Sequence, residues 1–559
     1  MTAAAGAGAG DRYDVAVLGS GMSGAALAIV LAAQGVRVVM VESGVHPRFA
    51  VGESTIPHTS LLSSLLAERY GVPELDVIAY PERIAAEVCS TCGVKRGFGY
   101  AYHRPGEEHD PAEGLLVGTS SKDETHVFRQ DVDAWLTYMA VRRGADLRQA
   151  TVVDRVEVDG AGVTLGTTGG DELRARYLVD GSGFRSVLAR TFSLREAPAR
   201  FGHHSRSLFT HMVDVGTFAP DTPMSIPWAQ TTLHHVFDRG WFWVIPFDNR
   251  EGSTNPLVSV GLTVDPRVHP KPAGVAPEAE FRAFLDRFPS VARQFAGARA
   301  VRPWVSTDRL QYSTTRGVGE RWCLMSHAYG AIDPLFSRGL VNTLEVTAAL
   351  VPTLLDALDD DDFSVERFTH VDALHRRVLD YNDRLVAGSF ASWADFDLWN
   401  AWLRVWGLGT IPVEFRMMNA LADYTATHDP RHLTGPVADP VFSDFEDPDY
   451  GAYFAEAVAL MDGFRSGRSP AGETAAALFD LGTRYEIPLP MRGDGLHRAG
   501  WIPADDAMSE RSMAFAREGF RWALTNPGTH DLFGTTTTFY RWRARRSDPH
   551  LAVAGRAPG

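Results

Sequence analysis

Three groups of residues in this 559-residue chain have types and spacing that could do chemistry. The first is Lys95. Period-two alternation along a strand spanning 94–103 puts Val94, Phe98, Tyr100 and Tyr102 on one face and leaves Lys95 beside Gly97, Gly99 and Ala101 on the other. An amine flanked by missing side chains has the open volume a reacting group needs, and burial would push it toward the free amine; a lysine that blocks aggregation on an edge strand has the same pattern. The second group is Asp333-Pro334-Leu335-Phe336-Ser337-Arg338-Gly339, which precedes an apolar-periodic helix over 340–358. A helix start presents N–H groups without intrahelical acceptors, so the backbone around Ser337, Arg338 and Gly339 could hold an anion. Arg338 could lend its cation there or to a pyrophosphate, and an ordinary capped helix reads the same way. The third is Gly19-Ser20-Gly21-Met22-Ser23-Gly24, a G-x-G-x-x-G, with Glu42 downstream.

The elements that must position these groups follow from the pattern. Tyr13 to Leu18 is a short apolar run, as in a buried parallel strand, and Ala25 to Ala33 is an Ala/Leu-rich helix. A second strand, Val36 to Val41, delivers Glu42. Gly19 permits the tight turn, Gly21 lets the backbone approach a pyrophosphate and Gly24 lets helix pack on strand. Glu42 can accept both ribose hydroxyls and disfavours a 2′-phosphate; the motif alone does not separate NAD from FAD. Met22, Ser23, Ser43, Arg48, Ser54 and Arg129 join the candidate cofactor contacts, although both arginines could equally be solvated surface. The nucleotide fold resumes at the strand Tyr177 to Asp180 and the turn Gly181-Ser182-Gly183, which adds Asp180. So long an insertion suits a flavin enzyme whose added sheet covers the isoalloxazine. The expected fold class is α/β: a Rossmann-type FAD-binding domain with an inserted mixed or antiparallel substrate sheet and a helical C-terminal extension. The expected boundaries are a flexible tail over 1–12, a core over 13–385 and a mainly helical region over 386–559.

Composition excludes other classes. With 54 Lys and Arg against 69 Asp and Glu, the net charge of −15 repels nucleic acid and anionic lipid. No unbroken apolar window of membrane-spanning length occurs, and the opening residues lack a signal-peptide pattern. Three cysteines exclude a disulfide framework and favour a reducing, cytoplasmic setting. Cys89 and Cys92 read as two small thiols rather than a redox pair. His203, His204, His211, His234 and His235 lack a metal-ligand pattern, so no metal is expected, and no G-x-S-x-G supports a hydrolase. Trp393, Phe396, Trp399, Trp402 and Trp406 recur at helical spacing, either as core or as a lid over a flat substrate. Arg541 to Arg546 reads as a solvated end.

Three segments carry a family resemblance. Gly240-Trp241-Phe242-Trp243-Val244-Ile245-Pro246 contains W-x-W-x-I-P, Thr91 to Gly99 surrounds Lys95, and Asp333 to Gly339 forms the loop above. Together they resemble the flavin-dependent halogenases, closer to the phenol and aromatic-polyketide type of the chlortetracycline pathway than to the tryptophan halogenases. The resemblance implies an oxidoreductase that takes FADH2 from a separate flavin reductase. With O2 and chloride it would make hypohalous acid and pass electrophilic halogen through Lys95 to a phenolic or polyketide aromatic substrate. It implies halide held by Ser337, Arg338 and Gly339, with Asp333 near the flavin. Trp241, Trp243 and Pro246 would wall substrate from flavin, and Phe98, Trp399 and Trp402 would touch substrate. Two departures stand out: Phe336 occupies the place of a glutamate in tryptophan halogenases, and Ser326-His327 replaces the Gly-Asp of many flavin hydroxylases. The alternatives are an FAD-dependent aromatic hydroxylase and a flavin-binding scaffold without catalysis.

Overall fold

The computed structural model describes residues 13–119, 122–220, 224–433, 447–486, 488–498 and 510–532; the tail over 1–12 and Arg541 to Arg546 lie outside them. Apolar residues from Val15 to Leu18 form the central strand Tyr13–Leu18, which pairs in parallel with Val38–Val41 and Glu172–Asp180. Asp146–Arg148 and Trp322–Leu324 extend this sheet in parallel on its two sides. Its strands are apolar on both faces because helices such as Met22–Ala33 cover them. Parallel alignment brings the turns after Leu18, Val41 and Asp180 to one edge, where an open α/β sheet binds its ligand.

A second sheet takes two strands from the insertion before Tyr177 and five from a further excursion between Asp180 and Trp322, in the order Arg299–Ala300, Arg206–Val213, Val258–Val264, Gly240–Pro246, Thr231–Phe237, Gly97–Tyr102 and Gly114–Gly118. Thr231–Phe237 and Gly97–Tyr102 run parallel and the neighbouring pairs antiparallel, so the sheet is mixed. Period two divides Gly240–Pro246 as its sequence requires. Trp241, Trp243 and Ile245 join the main core, whereas Phe242 and Val244 join a separate core with Phe281 and Phe288. The expected fold class is the one observed.

The single strand expected over 94–103 is instead two. Gly93–Lys95 pairs antiparallel with Glu124–His126, and Gly97–Tyr102 belongs to the large sheet. Asn249 causes the separation: its side chain accepts from Val94 N (2.8 Å) and donates to Val94 O (2.7 Å), taking the place of a neighbouring strand. Arg96 is the joint, with its N–H on Gln230 O and its carbonyl accepting from Thr119 N. This joint reverses the expected facing. Lys95 Nζ lies 3.5 Å from the Phe98 ring centroid, on the side of Phe98 rather than opposite it. Nor is the glycine face open: a Cβ on Gly99 would meet the Trp228 ring at 2.7 Å, and one on Gly97 would meet Val117 O at 2.7 Å.

The helices Gly339–Asp360, Thr369–Ser392, Phe396–Thr427, Pro448–Arg465, Ala471–Arg484 and Glu510–Thr525 continue the same core, so the boundary expected after residue 385 falls inside a helix. Gly339–Asp360 is long and apolar enough by composition to span a membrane (mean hydropathy 1.3), but most of that stretch is packed inside the fold. Phe396–Thr427 lies along the aromatic face of Gly97–Tyr102. Phe98 meets Trp406 (5.2 Å between ring centroids), Tyr100 meets Trp399 (5.2 Å) and Tyr102 meets Phe396 (6.0 Å). Beyond the last of these helices the chain reaches the edge of the second sheet, where Leu116 exchanges backbone hydrogen bonds with His530 and Leu532.

Candidate active site

The nucleotide turn has the geometry its glycines predict. Gly19 has φ +84°, and a Cβ on Gly24 would lie 1.9 Å from Gly19 O, so only glycine lets this helix start so close to the strand. Ser23 Oγ is buried with no hydrogen-bond partner among the described residues, a donor left for a phosphate. Glu42 accepts from Ser20 N (3.0 Å), Gly44 N (2.9 Å) and Arg48 Nη2 (3.1 Å). Burial opposes its ionisation, but these donors outweigh burial and hold the carboxyl below its usual range. Arg48 also reaches the turn, since a Cβ on Gly21 would come within 3.0 Å of its Nη2. Ser43 is exposed at the rim and Met22 is buried beneath the turn. These residues fit the pyrophosphate and ribose of a dinucleotide such as FAD.

Four expected cofactor contacts are engaged elsewhere. Arg129 forms a two-pronged ion pair with Asp133 (2.7 and 2.9 Å) and donates to Val51 O and Gly52 O, so it pins the loop before Ser54. Asp180 takes hydrogen bonds from Ser182 N, Ser182 Oγ, Ser186 Oγ and Leu188 N and builds the second glycine turn. Asp333, its side chain fully buried, accepts from Ser205 Oγ (3.1 Å) and Leu335 N (3.1 Å) and faces His203 (3.6 Å), which ties the anion loop to the second sheet. Ser54 belongs to Lys95 instead. For Arg129 and Asp180 a near neighbour in sequence claimed the polar group, and for Asp333 and Ser54 a distant one.

Around Lys95 the two small strands bring together a set of fully buried groups. Nζ donates to Ser54 Oγ (2.9 Å) and Thr55 O (2.9 Å). Burial lowers the Lys95 pKa well below that of an ordinary lysine, with the charge of its strand partner Glu124 opposing. Glu124 is itself raised by burial, against the nearby Lys122 and the Ser60 and Thr55 hydroxyls, each 2.6 Å from its Oε2. His126 and His234 are both pushed down to about 3, by burial first and then by the proximity of Lys95, so both rings are neutral.

A run of aromatic contacts connects this amine to the anion loop. Phe98 lies against Lys95, Trp406 against Phe98, and Phe336 of the loop against Trp406 (4.8 Å). The His234 ring stacks between Tyr100 (4.5 Å) and Trp241 (5.0 Å). In the loop, Ser337 adopts φ +53° and its N–H is spent on Pro334 O, so of the N–H groups here those in the first turn of Gly339–Asp360 are the ones without intrahelical acceptors. Arg338 is buried with its guanidinium 3.7 Å from Glu345, directed into the core. A narrow cleft of about 30 Å³ is lined by Ile56, Phe98, Val117, Trp406, Thr410 and Glu414 among others. Trp402 faces the helix Thr369–Ser392 instead: its Nε1 donates to Leu385 O and Ser389 Oγ, and its ring fills the space over Gly388. Trp399 is fully buried against Tyr100. Sequence reasoning placed Trp406 in the aromatic cluster read as core or lid but did not bring Glu124, His126 or His234 to Lys95, because none of them is near it in sequence.

Comparison with known proteins adds to this geometry. Residues 12–265 match the FAD binding domain family model. The chain is 46% identical over 498 residues to the tetracycline 7-halogenase of Kitasatospora aureofaciens, a match covering 87% of this chain and 89% of that protein. It is 44% identical over 496 residues to the monodechloroaminopyrrolnitrin halogenase PrnC of Pseudomonas fluorescens, covering 87% of each. The crystal structure of the halogenase PltM with phloroglucinol and FAD superposes with a TM-score of 0.82 at 33% identity, over 88% of this chain and 99% of that one.

Proposed function

This chain belongs to the flavin-dependent halogenases, and from that premise we propose that it chlorinates an electron-rich phenolic or amino-substituted aromatic ring through the amine of Lys95. Halogenation with FAD and halide, rather than hydroxylation, is the family's activity. Reduced FAD, supplied by a separate reductase in a reducing cytoplasm, would provide with O2 the oxidation of chloride to hypohalous acid. Gly19, Gly21, Ser23, Glu42 and Arg48 would hold the nucleotide. The first-turn N–H groups after Gly339 would hold the halide.

The observation that carries the reading is the state of Lys95. Its two donor contacts, to Ser54 Oγ and Thr55 O, use both N–H bonds of a neutral amine, and burial favours that neutral form. Its lone pair is then free to meet hypohalous acid: the N–Cl bond forms as O–Cl breaks, and water leaves with one amine proton. Electrophilic chlorine passes next to the ring carbon, and the ring proton returns to the nitrogen. Phe98 separates Nζ from the cleft, so delivery requires this ring to turn aside. In the cleft, Trp406 presents an indole N–H without a partner among the described residues, able to donate to a phenol oxygen. The relatives named for tetracycline and monodechloroaminopyrrolnitrin, and the structure holding phloroglucinol, are in keeping with such a ring. Phe336 in place of a carboxylate suits a substrate whose own oxygen or nitrogen activates the carbon.

Lys95→Ala, assayed with reductase, NADH, FAD, chloride and a panel of phenols, anilines and polyketides, is expected to bind FAD as the parent does and to yield no chlorinated product. Chlorination persisting in that variant while a trap removes free hypochlorous acid would sink the assignment.

A further inference from the structure

Four segments distant in sequence contribute to a single hydrogen-bonded line that begins at Lys95. Ser54 lies opposite His126 in an isolated antiparallel bridge, and His126 pairs with Gly93 on the lysine's strand. Thr232 sits beside Phe98 in the large sheet. Lys95 Nζ is 2.9 Å from Ser54 Oγ, Ser54 Oγ is 2.9 Å from Thr232 Oγ1, and Thr232 Oγ1 is 3.1 Å from His126 Nε2. At the far end His126 Nδ1 is 2.9 Å from the carbonyl oxygen of Pro246, the last residue of the W-x-W-x-I-P segment. All four side chains are buried.

The direction of every proton in this line follows from its two ends. A carbonyl only accepts, so Nδ1 carries the hydrogen, and in a neutral imidazole Nε2 must then accept. Thr232 donates to Nε2, which leaves its oxygen to accept from Ser54. The Ser54 hydroxyl hydrogen therefore points away from Lys95, and Ser54 meets Nζ only as an acceptor. This matters because a hydroxyl beside a neutral amine has a better use for its hydrogen. Left without another acceptor, it would turn and donate to the amine lone pair, the electron pair that must receive halogen.

We infer that Thr232 and His126 are positioning residues that keep the Ser54 hydroxyl turned from Lys95 and so leave the lysine lone pair free. The inference rests on the assignment of Lys95 as the halogen carrier. It also explains why a line of polar groups is buried here, where apolar packing would satisfy the fold at lower desolvation cost.

Thr232→Val is close to isosteric and removes the acceptor for Ser54. It is expected to lower kcat for chlorination about tenfold to a hundredfold, with substrate KM and FAD affinity unchanged and more hypohalous acid escaping to a trap. Thr232→Ser restores the hydroxyl and should restore kcat. The double variant S54A/T232V separates positioning from mere packing, because without a hydroxyl there is nothing to cap the amine: it should be faster than T232V alone, whereas two packing defects would make it slower. Should T232V fail to fold, His126→Leu breaks the same line and carries the same expectation, including relief by Ser54→Ala. Parental kcat in the folded variants, or a double variant no faster than the single, overturns the inference while leaving Lys95 in place. Undiminished chlorination by Lys95→Ala instead overturns the reading on which it rests.

Discussion

Trp402 and Trp406 lie one helical turn apart on Phe396–Thr427, yet their environments imply opposite consequences for the same substitution. The Trp402 ring is fully buried over Gly388 and donates to Leu385 O (3.0 Å) and Ser389 Oγ (3.2 Å). Trp402→Phe forfeits that donor, about 1 kcal/mol net, because Leu385 O keeps its bond from the Ser389 hydroxyl. Shrinking indole to phenyl in a site that cannot collapse adds about 2 kcal/mol of lost transfer and cavity energy. The expected total is about 3 kcal/mol of stability, with kcat and KM at low temperature unchanged. Trp406 has no partner for its indole N–H among the described residues and already borders open space, so Trp406→Phe should cost only about 1 kcal/mol. On the proposed function, what it forfeits is a wall of the substrate cleft. An aromatic pair is worth about 0.5–1.5 kcal/mol, which predicts a rise in aromatic-substrate KM of roughly twofold to tenfold. Urea unfolding followed by far-ultraviolet circular dichroism and steady-state kinetics with a reductase system measure both quantities. A variant at Trp402 that raises KM without loss of stability, or one at Trp406 that destabilises with KM intact, would refute the placement of the cleft.

Glu124→Gln removes the negative charge that opposes the burial-driven fall of the Lys95 pKa, so that pKa should fall further and the acid limb of the kcat–pH profile should move to lower pH; an unmoved limb, or movement to higher pH, contradicts the assignment. Cys89 is partly exposed and its thiol is pulled down to about 6, chiefly by the hydrogen bond from Cys92, 3.7 Å away, whereas Cys92 and Cys323 are pushed up. Iodoacetamide at pH 7 should therefore label Cys89 first, and more slowly as pH falls through about 6; peptide mass spectrometry showing equal labelling of all three would count against it.

The parts of the fold legible in sequence were those whose cause is local. Gly19 and Gly24 announce a turn whose positive φ and closest approach, Gly24 against Gly19 O, lie within six residues, and Glu42 follows the next strand. The alternation of Trp241, Phe242, Trp243 and Val244 between two cores likewise needs no information beyond the strand itself. Polar residues behaved differently. Arg129, Asp180 and Asp333 have the types a flavin site uses, but Asp133, the Ser182–Leu188 turn and Ser205 had claimed them. Residue type states what a polar group can bond, and which neighbour, near or distant in sequence, reaches it first decides what it does bond.

Lys95 shows how far one distant residue can change such a reading. With an unbroken strand, period two would have turned the amine toward Trp228 and the second core, away from Phe98 and from any substrate. Asn249 prevents this. By occupying both backbone groups of Val94 it peels Gly93–Lys95 from the large sheet, and the joint at Arg96 brings Nζ over the Phe98 ring. The same displacement lets Gly93–Lys95 pair with Glu124–His126, which supplies both the carboxylate beside the amine and the imidazole that orders Ser54. Loss of the Asn249 side chain should therefore damage halogen transfer although it touches neither flavin, halide nor substrate cleft. Asn249→Ala leaves Val94 N and Val94 O to find other partners, and the strand's nearest alternative is to rejoin the sheet in the register that turns Lys95 away. Chlorination should fall while FAD binding persists, and protection of the Val94 amide in hydrogen exchange should change with it. Full activity in that variant would mean that the break at residue 96 is held by the glycines around it rather than by Asn249.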